Sequence, residues 1–137
     1  MHLAPETADA PPTSVLVARP DKSGHNAFVF GPVGDAGERL ADLVTLHDEA
    51  SRAPLPYVTD ASHAYAMQFE GERTEEDAHR AGVEAARKAW SPTGGHGPDV
   101  YSVRLFGERG PVDDPAFGAV ARRIWSPILG ALQARVE

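Results

Sequence analysis

The chain contains no cysteine, and its 13 basic residues are eleven arginines and two lysines. The absence of cysteine excludes a disulfide framework, an iron–sulfur cluster and a thiol nucleophile, and it fits a reducing cytoplasm. Long apolar runs are also missing: none approaches the roughly 20 residues that a membrane helix needs. Met1 to Thr13 has no basic cluster leading into an apolar stretch, so a signal peptide is not expected there. Residues 1–12 are expected to be a disordered lead-in, and residues 13–137 a single domain of ordinary size. Positive charge is scarce as well. The net charge is −7 over 137 residues, the reverse of what a free nucleic-acid binder uses to neutralise phosphates. The balance is uneven, because Pro115 to Val136 holds Arg122, Arg123 and Arg135 and no acid.

Most catalytic constellations are missing too. There is no glycine-rich loop of P-loop spacing, and no Gly-x-Ser-x-Gly elbow accompanies the serines, histidines and aspartates. Gly94-Gly95-His96-Gly97 is glycine-rich but is not preceded by a strand opening into a helix, so it reads as a flexible loop. None of the six histidines has the His-x-x-x-His spacing of a helical metal site. His47 falls on an apolar helix stripe, which suggests a partly buried histidine, and no metal or other cofactor is expected in this chain. A metal-dependent nuclease strand of the restriction type needs an acid, a spacer and a lysine. The acid holds the metal and the lysine orients the attacking water. Lys22 follows Pro20 by two positions and Lys88 follows Ala86, so the element is absent throughout.

Periodicity supplies the elements. Thr13–Arg19 and Asn26–Phe30 are short β-branched runs around the turn residues Asp21-Lys22-Ser23-Gly24, and together they predict a hairpin. Asp35 to Arg52 predicts a helix with Asp35 and Glu38 as a capping box and an apolar stripe of Leu40, Leu43, Val44 and His47, with Leu46 beside it. Pro54-Leu55-Pro56 ends it. Thr59 starts a short helix through about Phe69. Thr74 caps a longer helix to Trp90 whose face of Ala78, Ala81, Gly82, Ala85 and Ala89 permits close approach to a neighbour. Val100–Phe106 reads as a third strand. Asp114 and Pro115 start a last helix with a stripe of Phe117, Val120, Ala121, Ile124, Ile128 and Leu132, interrupted at Pro127. The expectation is an α/β domain with a small mixed or antiparallel sheet of about three strands and three to four helices.

The order of several pieces carries a resemblance. Leu40-Ala41-Asp42-Leu43-Val44 leads to Pro54-Leu55-Pro56, then Ser62-His63-Ala64-Tyr65, then Arg87-Lys88-Ala89-Trp90. Val100 to Phe106 follows, and Ala121-Arg122-Arg123-Ile124-Trp125-Ser126-Pro127 comes near the end. Across about residues 13–137 this resembles the carboxy-terminal region of RecC, the gamma chain of bacterial exodeoxyribonuclease V. The resemblance implies a degenerate restriction-endonuclease-like domain with no ATPase motor. Such a domain would act as a non-catalytic scaffold that holds the helicase and nuclease subunits and guides strands during recombination repair of DNA double-strand breaks. The missing acid-x-lysine element is independent of that resemblance and agrees with it. The family protein is many times longer than this chain.

On this reading Trp125, Ile128 and Leu129 are expected to meet a partner subunit, because together they widen the last helix's stripe beyond what a small sheet needs. Arg122, Arg123, Arg135 and Trp90 are the residues that could touch DNA within a complex, with weak or no binding by the chain alone. For the arginines a solvated helix face explains the sequence equally well, and for both tryptophans packing is the plainer meaning. Arg73, Arg80 and Arg87 recur every seven residues with Asp77 and Glu84 between them, a surface ion-pair ladder. Two alternatives from other classes are a stand-alone binding protein unrelated to DNA repair, such as a small-ligand or toxin–antitoxin-like module, and a nuclease with an atypical site.

Overall fold

The two β-branched runs pair as a hairpin in the computed structural model, which describes residues 13–19, 24, 26–91 and 98–136. Strand β1 (Ser14–Val17) lies antiparallel to β2 (Ala27–Phe30), with Leu16 opposite Phe28. The turn assigned to Asp21-Lys22-Ser23 and the lead-in of residues 1–12 lie outside the described residues, as does Gly94-Gly95-His96-Gly97. The third strand is not the expected one. It is β3 (Leu132–Val136), antiparallel to β2, which gives the order β1-β2-β3 with an irregularity between Val29 and Phe30. Leu132 had the periodicity of the preceding helix stripe. The helix instead ends at Ala131, and Leu132 pairs with Phe30, a partner about a hundred residues earlier that no local window reveals.

Among the described residues five helices accompany the sheet: α1 (Ala36–Ala50), α2 (Thr59–Ala66), α3 (Glu75–Trp90), α4 (Val100–Phe106) and α5 (Phe117–Ala131). Single 3-10 turns follow α2 at Met67–Phe69 and precede α5 at Pro111–Asp113. The chain is therefore mixed α/β with a three-stranded antiparallel sheet. It divides into two compact units: residues 1–36 with 130–137, which hold the sheet, and residues 37–129, which hold the helices.

Helix α4 corrects the strand expected at Val100–Phe106. Asp99 accepts hydrogen bonds from the backbone N–H of Tyr101 and Ser102 and from the Ser102 hydroxyl, which satisfies the free donors of a helix start. Gly107 closes the helix at φ 70°, a conformation that favours glycine. Caps at both ends override the β propensity of the segment between them. Elsewhere the start signals hold. The Thr74 hydroxyl accepts from the Asp77 N–H at 3.2 Å, and Asp114 accepts from the Ala116 N–H at 2.8 Å, with α5 itself beginning two residues later than Pro115.

The helical unit is built around Tyr65. Its ring meets Phe69 and Phe117 at centroid distances of 5.2 and 5.5 Å. Ala61, Ala86, Val112 and Ala121 complete the buried cluster. Two glycines give the ring its space. A Cβ at Gly82 would stand 2.7 Å from Tyr65 Cδ2, and one at Gly118 would stand 2.5 Å from its hydroxyl. The small face of α3 thus packs as expected, with Ala78, Gly82, Ala86 and Trp90 buried and Ala81, Ala85 and Ala89 half-buried.

Candidate interaction surface

Arg122 and Arg123 follow one another on α5 and so point to different neighbours. Arg122 donates to Glu75 at 2.8 Å and lies 4.4 Å above the Phe69 ring. Arg123 donates from Nε to both carboxylate oxygens of Asp42, at 2.8 and 2.9 Å, and from Nη1 to Glu49 at 3.0 Å. The sequence has no acid near these arginines, but the fold brings three from far away. Both guanidinium groups are committed within the chain, which removes the main reason to place DNA against them. Arg135 lies exposed on β3 in the other unit. Trp90 offers no face to a base. It is buried, its indole N–H donates to the Glu108 carbonyl at 2.9 Å, and Gly110 lies against its ring.

The three residues expected at a partner interface fall into different settings. Leu129 is buried and unavailable to a partner in this state. Trp125 is half-buried and its ring meets His63 at 4.6 Å, with its indole N–H enclosed and, among the described residues, without a hydrogen-bond partner. Of the three, Ile128 stands exposed. The expected ion-pair ladder on α3 is partial. Arg80 pairs with Asp77 at 2.5 Å, whereas Arg87 reaches Asp113 at 2.7 Å and Arg73 reaches the Gln68 side chain.

Helix α1 holds the surface that periodicity misread. Its covered face is Asp42, Leu46 and Glu49, which lie on one side at i, i+4 and i+7, and Arg123 grips the two acids on either side of buried Leu46. The apolar stripe of Leu40, Leu43, Val44 and His47 therefore points the other way. Leu40, Leu43 and Val44 are 64%, 48% and 55% exposed, and His47 is exposed too, not partly buried as expected. Helix α4 buries none of its residues and presents Val100, Tyr101 and Leu105 to solvent. A groove of about 400 Å³ runs among Ala50, the Pro54-Leu55 link, Tyr57, Leu105, Phe106 and Ile124. A helix face that leaves several large apolar side chains in solvent is a candidate interaction surface.

A larger cleft of about 660 Å³ lies over Tyr65, His79, Arg87, Asp113, Gly118 and Arg122. The Tyr65 hydroxyl and His79 Nδ1 are hydrogen-bonded at 2.7 Å, and burial holds the phenol's pKa above its ordinary value, so it stays protonated at neutral pH. Arg87 and Arg122 are neutralised by Asp113 and Glu75, so the walls carry no unmatched charge of either sign from these pairs. Asp99, held below the ordinary carboxylate range first by its Ser102 hydrogen bonds, serves as a helix cap. Among the described residues, no group of three or more His, Asp or Glu converges as a metal site. Among the same residues, no helix is long and apolar enough to cross a membrane.

The chain matches no protein-family model, no curated protein and no solved structure.

Proposed function

We propose that this chain is a non-catalytic assembly module of a cytoplasmic DNA-repair complex, bacterial exodeoxyribonuclease V, and docks on its helicase and nuclease subunits. The observation that carries the docking role is the outward apolar face of α1, Leu40, Leu43 and Val44. A helix that turns Asp42 and Glu49 inward to an arginine while Leu40, Leu43 and Val44 face solvent is arranged for a partner and not for water alone. The choice of complex and the restriction-endonuclease-like character of the fold rest on the motif resemblance. On this reading the DNA is met through the complex, because the net charge is −7 and Arg122 and Arg123 are already paired.

The test is co-expression of the full chain with the two motor subunits encoded in the same genome. Co-purification in fixed ratio supports the proposal. Failure of both subunits to retain the chain overturns it, and the stand-alone binding protein then becomes the better reading.

A further inference from the structure

The two edges of the sheet are built differently. The β3 edge is irregular opposite Val29 and Phe30 and carries exposed Arg135, two devices that discourage strand addition. Among the described residues, the β1 edge has neither. Val15, Leu16 and Val17 are 61%, 56% and 72% exposed, and no ionisable side chain occurs from Thr13 to Ala18.

The direction of the backbone groups on that edge follows from two hydrogen bonds. The Ala18 N–H donates to the Asn26 carbonyl at 2.8 Å, so Ser14, Leu16 and Ala18 turn their backbone groups toward β2. The Gly31 N–H donates to the Ala131 carbonyl at 2.8 Å, so alternate positions of β2 face β3, which leaves Phe28 and Phe30 to face β1 in the same register. Val15 and Val17 therefore present their N–H and C=O groups to the open edge.

We propose that a second copy of this chain occupies that edge, with β1 pairing antiparallel to its own counterpart about a two-fold axis at Leu16. Val15 of one copy then exchanges both backbone hydrogen bonds with Val17 of the other, and Leu16 faces Leu16. Two features of the sequence select the copy and this register. The strand is uncharged, so self-pairing sets no like charges opposite each other. Its bounding prolines, Pro12 and Pro20, both lie four positions from Leu16, so the register centred there pairs the whole stretch between them. The unit holding the sheet carries five acids against three bases, a net −2 of the chain's −7, so most of the repulsive charge lies on the other unit.

Sedimentation velocity of the full chain over a range of concentrations tests this, with Val17→Pro and Leu16→Lys as variants. Val17→Pro deletes an outward N–H and leaves the β1–β2 ladder intact. Leu16→Lys changes an exposed side chain and sets two like charges across the two-fold. The wild type is expected to shift from monomer to dimer as concentration rises. Each variant is expected to weaken association by about tenfold or more with an unchanged far-ultraviolet spectrum. A wild type that stays monomeric throughout overturns the proposal, whether or not the edge accepts a strand from another protein. So does a dimer that persists unweakened in Leu16→Lys.

Discussion

Arg123 of α5 grips Asp42 of α1 through two oxygens at 2.8 and 2.9 Å, across 81 residues of sequence. Those hydrogen bonds hold the Asp42 carboxyl below its ordinary pKa and push the Arg123 guanidinium up. A carboxylate with a depressed folded pKa contributes stability that is present at neutral pH and lost as pH falls through that lowered value. Asp42→Asn should therefore lower the melting temperature by a few degrees at pH 7. The gap from wild type should close in acid, below the ordinary carboxylate range. A gap that stays constant with pH would mean the pair adds no pH-linked stability. Arg123→Lys should resemble Asp42→Asn at neutral pH, because an ammonium cannot reproduce the two-oxygen contact.

Gly82 and Gly118 make opposite demands on substitution from Gly37. Alanine in a helix gains up to about 1 kcal/mol over glycine. At Gly82 and Gly118 the new Cβ meets the Tyr65 ring or hydroxyl, an overpacking cost of about 1–3 kcal/mol that outweighs the gain. Gly37→Ala meets nothing within 4 Å and should stabilise. Chemical denaturation of the three variants should give that order of signs. Replacing Tyr65 by leucine in the same chain should shrink the penalty at Gly118, since the two positions touch.

The tryptophans should also separate. Trp90→Phe discards a buried indole donor and leaves the Glu108 carbonyl without that partner, at a cost of about 1–3 kcal/mol. Trp125→Phe removes a donor with no partner among the described residues, so it should be close to neutral or slightly stabilising. Thermal melts followed by circular dichroism decide between them. Equal losses would place Trp125 in the core on the same terms as Trp90.

DNA binding by the isolated chain should be weak and lost by about 0.15 M salt, as measured by fluorescence anisotropy with single-stranded and duplex oligonucleotides. Submicromolar affinity at that salt, reduced by Arg135→Ala, would show that β3 carries a nucleic-acid surface that the net charge conceals.

Much of the local structure was legible in the sequence. Thr74 and Asp114 act at helix starts, the small face of α3 packs against Tyr65, and the first two β-branched runs pair. The misreadings have two physical causes, local caps that outweigh propensity and partners distant in sequence. Val100–Phe106 has strand-forming residues, yet Asp99 and Gly107 cap it as a helix, a signal present in the sequence but outweighed by propensity. The strand at Leu132–Val136 exists only through its pairing with β2. Periodicity points to the leucine stripe of α1 as the covered face, because acids rarely fill that role. Here Arg123 makes Asp42 and Glu49 the covered face, and a partner 81 residues away leaves no periodic trace. Exposure of Leu40, Leu43 and Val44 is the consequence.

On the proposed function, this exposed α1 face, not the packed one, holds the chain on the helicase and nuclease subunits. Leu43→Glu in the full chain, co-expressed with the two motor subunits, tests it most directly. Leu43 is 48% exposed, so the variant should keep its spectrum and melting temperature within about 1 kcal/mol of wild type, while its co-purification with the subunits falls by about tenfold or more. A folded Leu43→Glu chain that co-purifies as fully as the wild type would contradict the account.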